Sequence, residues 1–266
     1  MLFGMPTLIE CATLEENLAL CQTLGLDFIE LNMNLPQYQT KPLRDNAENY
    51  KQILSDTGIF FTLHLDENLN FADFNPLIRQ AYFETTVEAI EIAKTLKIPV
   101  INLHMPKGVY FTLPEKRVYL LEEYNAFFLD AVIQFRKMCE QEIGSADVKI
   151  CIENTDGWQA FQQQAINSLL ESSCFGLTWD IGHSHAAGDV DEPFLLERRS
   201  RLSHFHIHDA LSKRNHLALG SGEIDLFGRL KTAKEQNCRC VIETKTAEAL
   251  RQSVKYMREN AVGGTI

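Results

Sequence analysis

Eight short apolar runs alternate with eight amphipathic segments along this chain, and that alternation constrains the fold more than any other feature. The runs cover residues 6–10, 27–31, 60–64, 100–104, 148–153, 176–180, 202–206 and 240–243. Their shortness and their β-branched or aromatic content read as buried strands. The segments between them, 14–24, 45–57, 76–96, 114–140, 158–172, 193–199, 226–236 and 247–260, repeat apolar residues at helical spacing. Thr13 and Glu16 form a capping box for the first helix, and Gly25 stops it. Pro76 suits a first helical position. Strands alternating with helices build parallel βαβ units. Eight units predict an α/β (β/α)8 barrel, a single domain over residues 1–266, a length such barrels commonly have. A doubly wound open sheet would carry a glycine-rich turn after its first strand. The sequence after Glu10 reads CATLEENL.

Hydrophobic residues make up 45% of the chain, enough for a sizeable core. The formal net charge of −11 opposes a surface built for nucleic acid phosphates. It fits carboxylates gathered for a divalent cation. The seven cysteines form no CxxC pair and read as reduced thiols of a cytoplasmic protein. Neither a signal peptide nor a membrane span is expected from the sequence.

The strand ends carry the chemistry. IFFTLH ends at His64, VINLH at His104, VKICIE at Glu153 and FGLTWD at Asp180; SHFHIH supplies His204, His206 and His208, and CVIE ends at Glu243. A parallel barrel brings all these ends to one face. Crowded carboxylates and imidazoles need compensation, and a bound cation is the simplest. Glu153, Asp180, His206 and Glu243 form an oxygen-rich set with one nitrogen, suited to Mn2+, Mg2+, Co2+ or Zn2+ and not to copper(I). His64 and His104 offer a second site with Glu153 bridging. His183 reaches the cup from the loop after Asp180, as ligand or substrate contact, whereas His185 points away. His204 lies lower in the barrel, and His208 and Asp209 are loop candidates. Trp158 can form an apolar wall beside a ligand, Trp179 faces the helices, and Tyr110 and Phe111 can roof the cup. Lys107 reads as a solvated lysine before an anion contact, and Asp66 and Glu67 as turn caps or ligand contacts.

CIENTDGW, TWDIGHSHAAGD, HIHDALSKRNHLALGSGEIDL and CVIET resemble the xylose isomerase-like TIM-barrel superfamily, over His64 to Glu243. That superfamily holds sugar and sugar-phosphate isomerases and epimerases and also endonuclease IV. The resemblance implies that Glu153, Asp180, His206 and Glu243 hold the shared metal and that Glu153 and Glu243 move protons. It implies a substrate or third-metal role for His183, and it likens His64, His104 and His216 to zinc ligands of endonuclease IV. That enzyme's third zinc also uses an Asp two residues before the last of these histidines. Arg214 stands there, and it reads as a contact for a substrate phosphate or carboxylate or as a solvated loop residue.

The expected function is a divalent-metal-dependent sugar or sugar-phosphate isomerase or epimerase, with one ion favoured over two or three. Its catalytic residues are Glu153 and Glu243, and His183, His216, Arg214 and Trp158 bind substrate. The alternative is an endonuclease IV-type zinc phosphodiesterase acting on abasic DNA. The net charge, Arg214 and the sparse basic residues near Lys41 and Arg44 oppose it. A barrel that binds metal and ligand without catalysis is a third reading. The expected partner is a small sugar or sugar phosphate, with nucleic acid disfavoured, no membrane, and homodimerisation open.

Overall fold

The structure, a computed structural model, describes residues 1–260; the last six positions of the expected 1–266 domain lie outside it. Its strands are β1 (Leu2–Pro6), β2 (Phe28–Asn32), β3 (Phe60–His64), β4 (Val100–His104), β5 (Tyr110–Thr112), β6 (Arg117–Tyr119), β7 (Lys149–Glu153), β8 (Phe175–Asp180), β9 (Leu202–Ile207), β10 (Asp209–Leu211), β11 (Arg214–Leu217) and β12 (Arg239–Ile242). Its helices are α1 (Leu14–Thr23), α2 (Thr40–Asp45), α3 (Ala47–Thr57), α4 (Pro76–Leu96), α5 (Leu120–Glu123), α6 (Asn125–Ile143), α7 (Ala160–Leu169), α8 (Ile181–Ala186), α9 (Glu192–Glu197), α10 (Leu226–Glu235) and α11 (Ala247–Glu259). Eight strands close a parallel ring in the order β1-β2-β3-β4-β7-β8-β9-β12, the (β/α)8 barrel expected. β5–β6 and β10–β11 are antiparallel hairpins outside it.

Alternation sorts the ring residues into two populations. Ile29, Leu31, Phe61, Leu63, Ile150 and Ile152 are fully buried in the apolar layer shared with the helices. Each such side chain contributes about 1.5–3 kcal/mol. The opposite parity fills the barrel with polar groups: Glu30, Thr62, Asn102, Thr178 and His204, all buried. They bond to one another, which leaves His204 Nδ1 as the one nitrogen of that residue without a partner among the described residues. Thr62 Oγ1 donates to Glu30 at 3.1 Å, Thr178 Oγ1 donates to Asn102 Oδ1 at 2.5 Å, and Asn102 Nδ2 donates to Glu153.

Three expectations need correction. The first strand is Leu2–Pro6 and not residues 6–10. A Cβ on Gly4 would stand 2.5 Å from the Phe28 ring, so only glycine admits that ring beside β1. Leu8 and Ile9 belong to a turn closed by the Leu8 carbonyl and the Cys11 amide, and Leu8 N–H bonds Asn17 Oδ1 at 3.0 Å. The expected helix 114–140 is a hairpin followed by α5 and α6. Pro114 sits in the hairpin turn, where its fixed φ is favourable, and Leu113 N–H bonds the Lys116 carbonyl at 2.8 Å. The segment after Asp180 is the short helix α8, not a loop, because the Asp180 side chain caps it by accepting the His183 N–H at 2.6 Å.

Candidate metal centre

The ends of β7, β8 and β9 and the residue after β12 bring together Glu153, Asp180, His206 and Glu243. One ligand atom from each lies within 4.8 Å of the others. His206 Nδ1 is the hub, 3.2 Å from Glu153 Oε1, 3.1 Å from Glu243 Oε2 and 3.9 Å from Asp180 Oδ2. His64 and His104 form a second group on Glu153, each Nε2 standing 3.3 Å from Oε2. His64 Nδ1 donates to the Leu65 carbonyl at 2.7 Å, which leaves Nε2 to face the carboxylate.

The electrostatics follow from burial and crowding. Burial alone would lower the His206 imidazole, but Glu153, Glu30 and Glu243 hold it well above its ordinary value. Burial opposes ionisation of Glu153 and Glu243. His206 and His104 outweigh it at Glu153, as His206 and Lys245 do at Glu243, and both stay well below the usual carboxylate range. Against the same burial, Glu153 raises His64 to about 9, and Asp180 with Glu153 raises His183 to about 10. Burial pushes His216 down to about 4.

The donor set fits a divalent cation. His206 Nδ1, His183 Nδ1 and Glu243 Oε2 are buried without a hydrogen bond although they crowd one spot. Each such atom ordinarily costs about 1–3 kcal/mol, a cost a shared cation removes.

A cavity of about 740 Å3 opens over the group, lined by His64, His104, Glu153, His183, His216 and Glu243 together with Asn32, Glu67, Asn68, Asn70, Lys107 and Lys245. Lys107 is paired with Asp156, and Lys245 Nζ stands 2.7 Å from Glu243. Two expected substrate contacts are elsewhere. Trp158 is buried against Phe194, with ring centroids 5.5 Å apart, and Arg214 is exposed on β11. Neither lines the cavity, nor do Tyr110 and Phe111 on their exposed hairpin. His185 turns away to Glu223 at 3.0 Å. Trp179 points to the helices and donates to Ser184 at 2.9 Å. Asp209 accepts four backbone N–H groups, from Ala210, Gly220, Gly222 and Ile224, and so anchors a loop.

Sequence reasoning missed Glu30. This buried carboxylate takes His204 Nε2 at 2.8 Å, and its other oxygen stands 2.8 Å from His206 Nε2, off the axis of that ring N–H. The available signal was one Glu inside the apolar run FIEL, on the parity that faces the barrel centre.

The family described as xylose isomerase-like TIM barrel matches residues 18–260. The chain belongs to that family. Two uncharacterised proteins of Methanocaldococcus jannaschii are 28% identical to it over 70% and 71% of the chain; the matches span 65% and 64% of those relatives' own length, just under two thirds. An inosose isomerase of Bacillus velezensis is 25% identical over 88% of the chain and 83% of its own length. Among solved structures of the xylose isomerase-like fold, a D-tagatose 3-epimerase-like protein superposes with a TM-score of 0.79 at 23% identity, covering 98% of this chain and 97% of the other. The IolI protein with a bound zinc atom gives 0.75 at 20% identity, over 100% and 99%.

Proposed function

We propose that this xylose isomerase-like barrel is a divalent-metal-dependent isomerase or epimerase of a sugar, with Glu153 and Glu243 as its proton-transfer pair. One observation carries the reading. The two carboxylates flank the same His206 nitrogen at 3.2 and 3.1 Å, sit at the ends of β7 and β12, three steps apart on the ring, and both line the cavity. The names of the relatives and of the solved epimerases and isomerases support it.

Glu153, Asp180, His206 and Glu243 would hold the cation. When bound, it would supply Lewis-acid polarisation of the sugar's carbonyl oxygen. One glutamate takes the proton from the carbon beside the carbonyl, and the electron pair of the broken C–H bond moves into an enediolate. Return of a proton to the neighbouring carbon, with the hydroxyl proton passing to the former carbonyl oxygen, isomerises the sugar; return to the opposite face of the same carbon epimerises it. Asn32, Asn68 and Asn70 offer amide donors and acceptors that suit hydroxyl groups. Both lysines of the cup already face carboxylates, which favours an uncharged sugar over its phosphate.

Exchange of substrate C–H hydrogen for deuterium in D2O, followed by NMR across paired ketoses and ketose phosphates, tests the proposal. An unphosphorylated ketose should exchange. Glu243→Gln should abolish exchange with only partial loss of metal. No exchange from any member of the panel refutes the function, and exchange of phosphates alone refutes the preference. A second reading, phosphodiester hydrolysis, rests on the His64–His104–Glu153 group as seat for a second ion. Cleavage of abasic-site DNA by protein carrying two or more zinc ions per chain would favour it.

A further inference from the structure

His183, His208 and His216 cluster beside the centre with one nitrogen each within 4.8 Å of the others, the outline of a further metal site. The hydrogen bonds assign the middle imidazole differently. The backbone N–H of His216 points at His208 Nδ1 from 2.8 Å. An N–H only donates, so Nδ1 carries the lone pair and Nε2 the proton. The Asp209 carbonyl, 3.4 Å from the same Nδ1, is the weaker rival for that nitrogen. Nε2 in turn stands 3.0 and 3.1 Å from the two oxygens of Asp180. Both nitrogens of His208 are therefore engaged, and neither is free for a metal.

We propose that His208 is a positioning residue that donates from Nε2 to Asp180 and so aims that carboxylate into the metal centre. The inference rests on the metal-dependent reading of the site. Three features pre-organise the donor. His208 is fully buried. Its ring fills the notch over α8 at Gly182, where a Cβ would lie 1.9 Å from Cε1, so the ring plane is fixed from that side. On the other side His216 adopts φ 55°, a left-handed conformation that a non-glycine residue keeps only when its surroundings hold it there. Asp180 is meanwhile clamped through its backbone. Its N–H bonds Asn154 Oδ1 at 2.9 Å, and its carbonyl accepts Asn154 Nδ2 at 2.9 Å. With the backbone fixed and His183 N–H on Oδ1, the His208 proton sets the remaining rotation of the carboxylate. Partners of this kind are worth about 10–100-fold in metal affinity. The hairpin β10–β11, which carries His216, thereby bears on Asp180 through one backbone N–H.

Two substitutions separate the two bonds. The amide of His208→Gln reaches the Nε2 position and can serve Asp180; that of His208→Asn reaches the Nδ1 position and serves only His216. Competition between each protein and a chromophoric chelator for Zn2+ gives affinity, and the visible spectrum of the Co2+ form reports ligand geometry. His208→Asn should bind about 10–100-fold more weakly with an altered Co2+ spectrum, and His208→Gln should stay close to wild type in both. Nitrogen-15 NMR of the wild-type protein, which needs no variant to fold, should show His208 protonated at Nε2. Equal affinities of the two variants, or an Nδ1-protonated His208, overturn the inference while the metal-dependent reading stands. Loss of one ion per chain in both variants makes His208 a ligand and overturns it too. Wild-type protein that takes up no metal overturns both.

Discussion

Replacing Glu30 by Gln tests whether the buried polar layer stabilises the barrel. Glu30 is 1% exposed. Its carboxylate accepts His204 Nε2 at 2.8 Å and Thr62 Oγ1 at 3.1 Å, with His206 Nε2 also 2.8 Å away. Gln keeps the size, but it offers one oxygen, no charge, and an NH2 that meets a donor. A hydrogen bond to a charged group is worth about 1.5–3 kcal/mol, and breaking a buried ionic contact by removing one partner costs about 3–5 kcal/mol. Because Gln retains one acceptor, the low end applies, about 3 kcal/mol. For a chain of this size that lowers the melting midpoint by roughly 6–12 °C. Urea unfolding of metal-free protein at pH 7 should give a lower midpoint with an unchanged slope. The pH dependence has a definite sign. Burial opposes ionisation of Glu30, yet His206 and His204 hold it below its ordinary value of 4.5. Its contribution is therefore present above pH 4.5 and fades as the pH falls below, so wild type and variant should converge in acid. A melting shift under about 2 °C at pH 7, or a difference that grows in acid, refutes the reasoning.

On the metal-dependent reading, the metal-free protein holds protons that a bound cation would displace. His64, raised to about 9 by Glu153 against burial, is protonated at pH 7, and His206 is raised well above 6.5. Metal uptake at pH 7 should release protons, seen by calorimetry in buffers of different ionisation enthalpy, and apparent affinity should rise with pH as the ligand His206, held well above 6.5, gives up its proton. The raised value at His64 means that its ion pairs stabilise the metal-free protein at low pH and are lost as pH rises through about 9, which thermal melts will follow. Gly182→Ala drives a methyl to within 1.9 Å of the His208 ring. Thermal melting should register about 1–3 kcal/mol of overpacking, and metal titration a weaker centre.

The convergence of Glu153, Asp180, His206 and Glu243 was legible because parallel strands in a ring put their carboxyl ends together, whatever their separation in sequence. Glu30 was not, because its meaning depends on His204, 174 residues away and reached only across the closed barrel. Trp158 and Arg214 lie on connections, where no period sets side-chain direction; one turned into the core and the other to solvent. The hairpin around Pro114 read as a helix because proline suits both the first turn of a helix and the second position of a turn. His208 looked like a loop residue until the ring of Gly182, Asp180 and His216 around it was in view.

The ring is sealed by β1, which pairs with β2 on one side and β12 on the other, Gly4 against Phe28 and Phe3 against Cys240. The centre draws Glu243 from just beyond β12 and leans on Glu30 in β2. No partial barrel assembles it, and synthesis must deliver the eighth strand before Glu153, Asp180, His206 and Glu243 converge. If the centre binds a cation as proposed, that binding favours the closed ring over every open intermediate by mass action. On that reading, metal supply would be a determinant of how many chains finish folding.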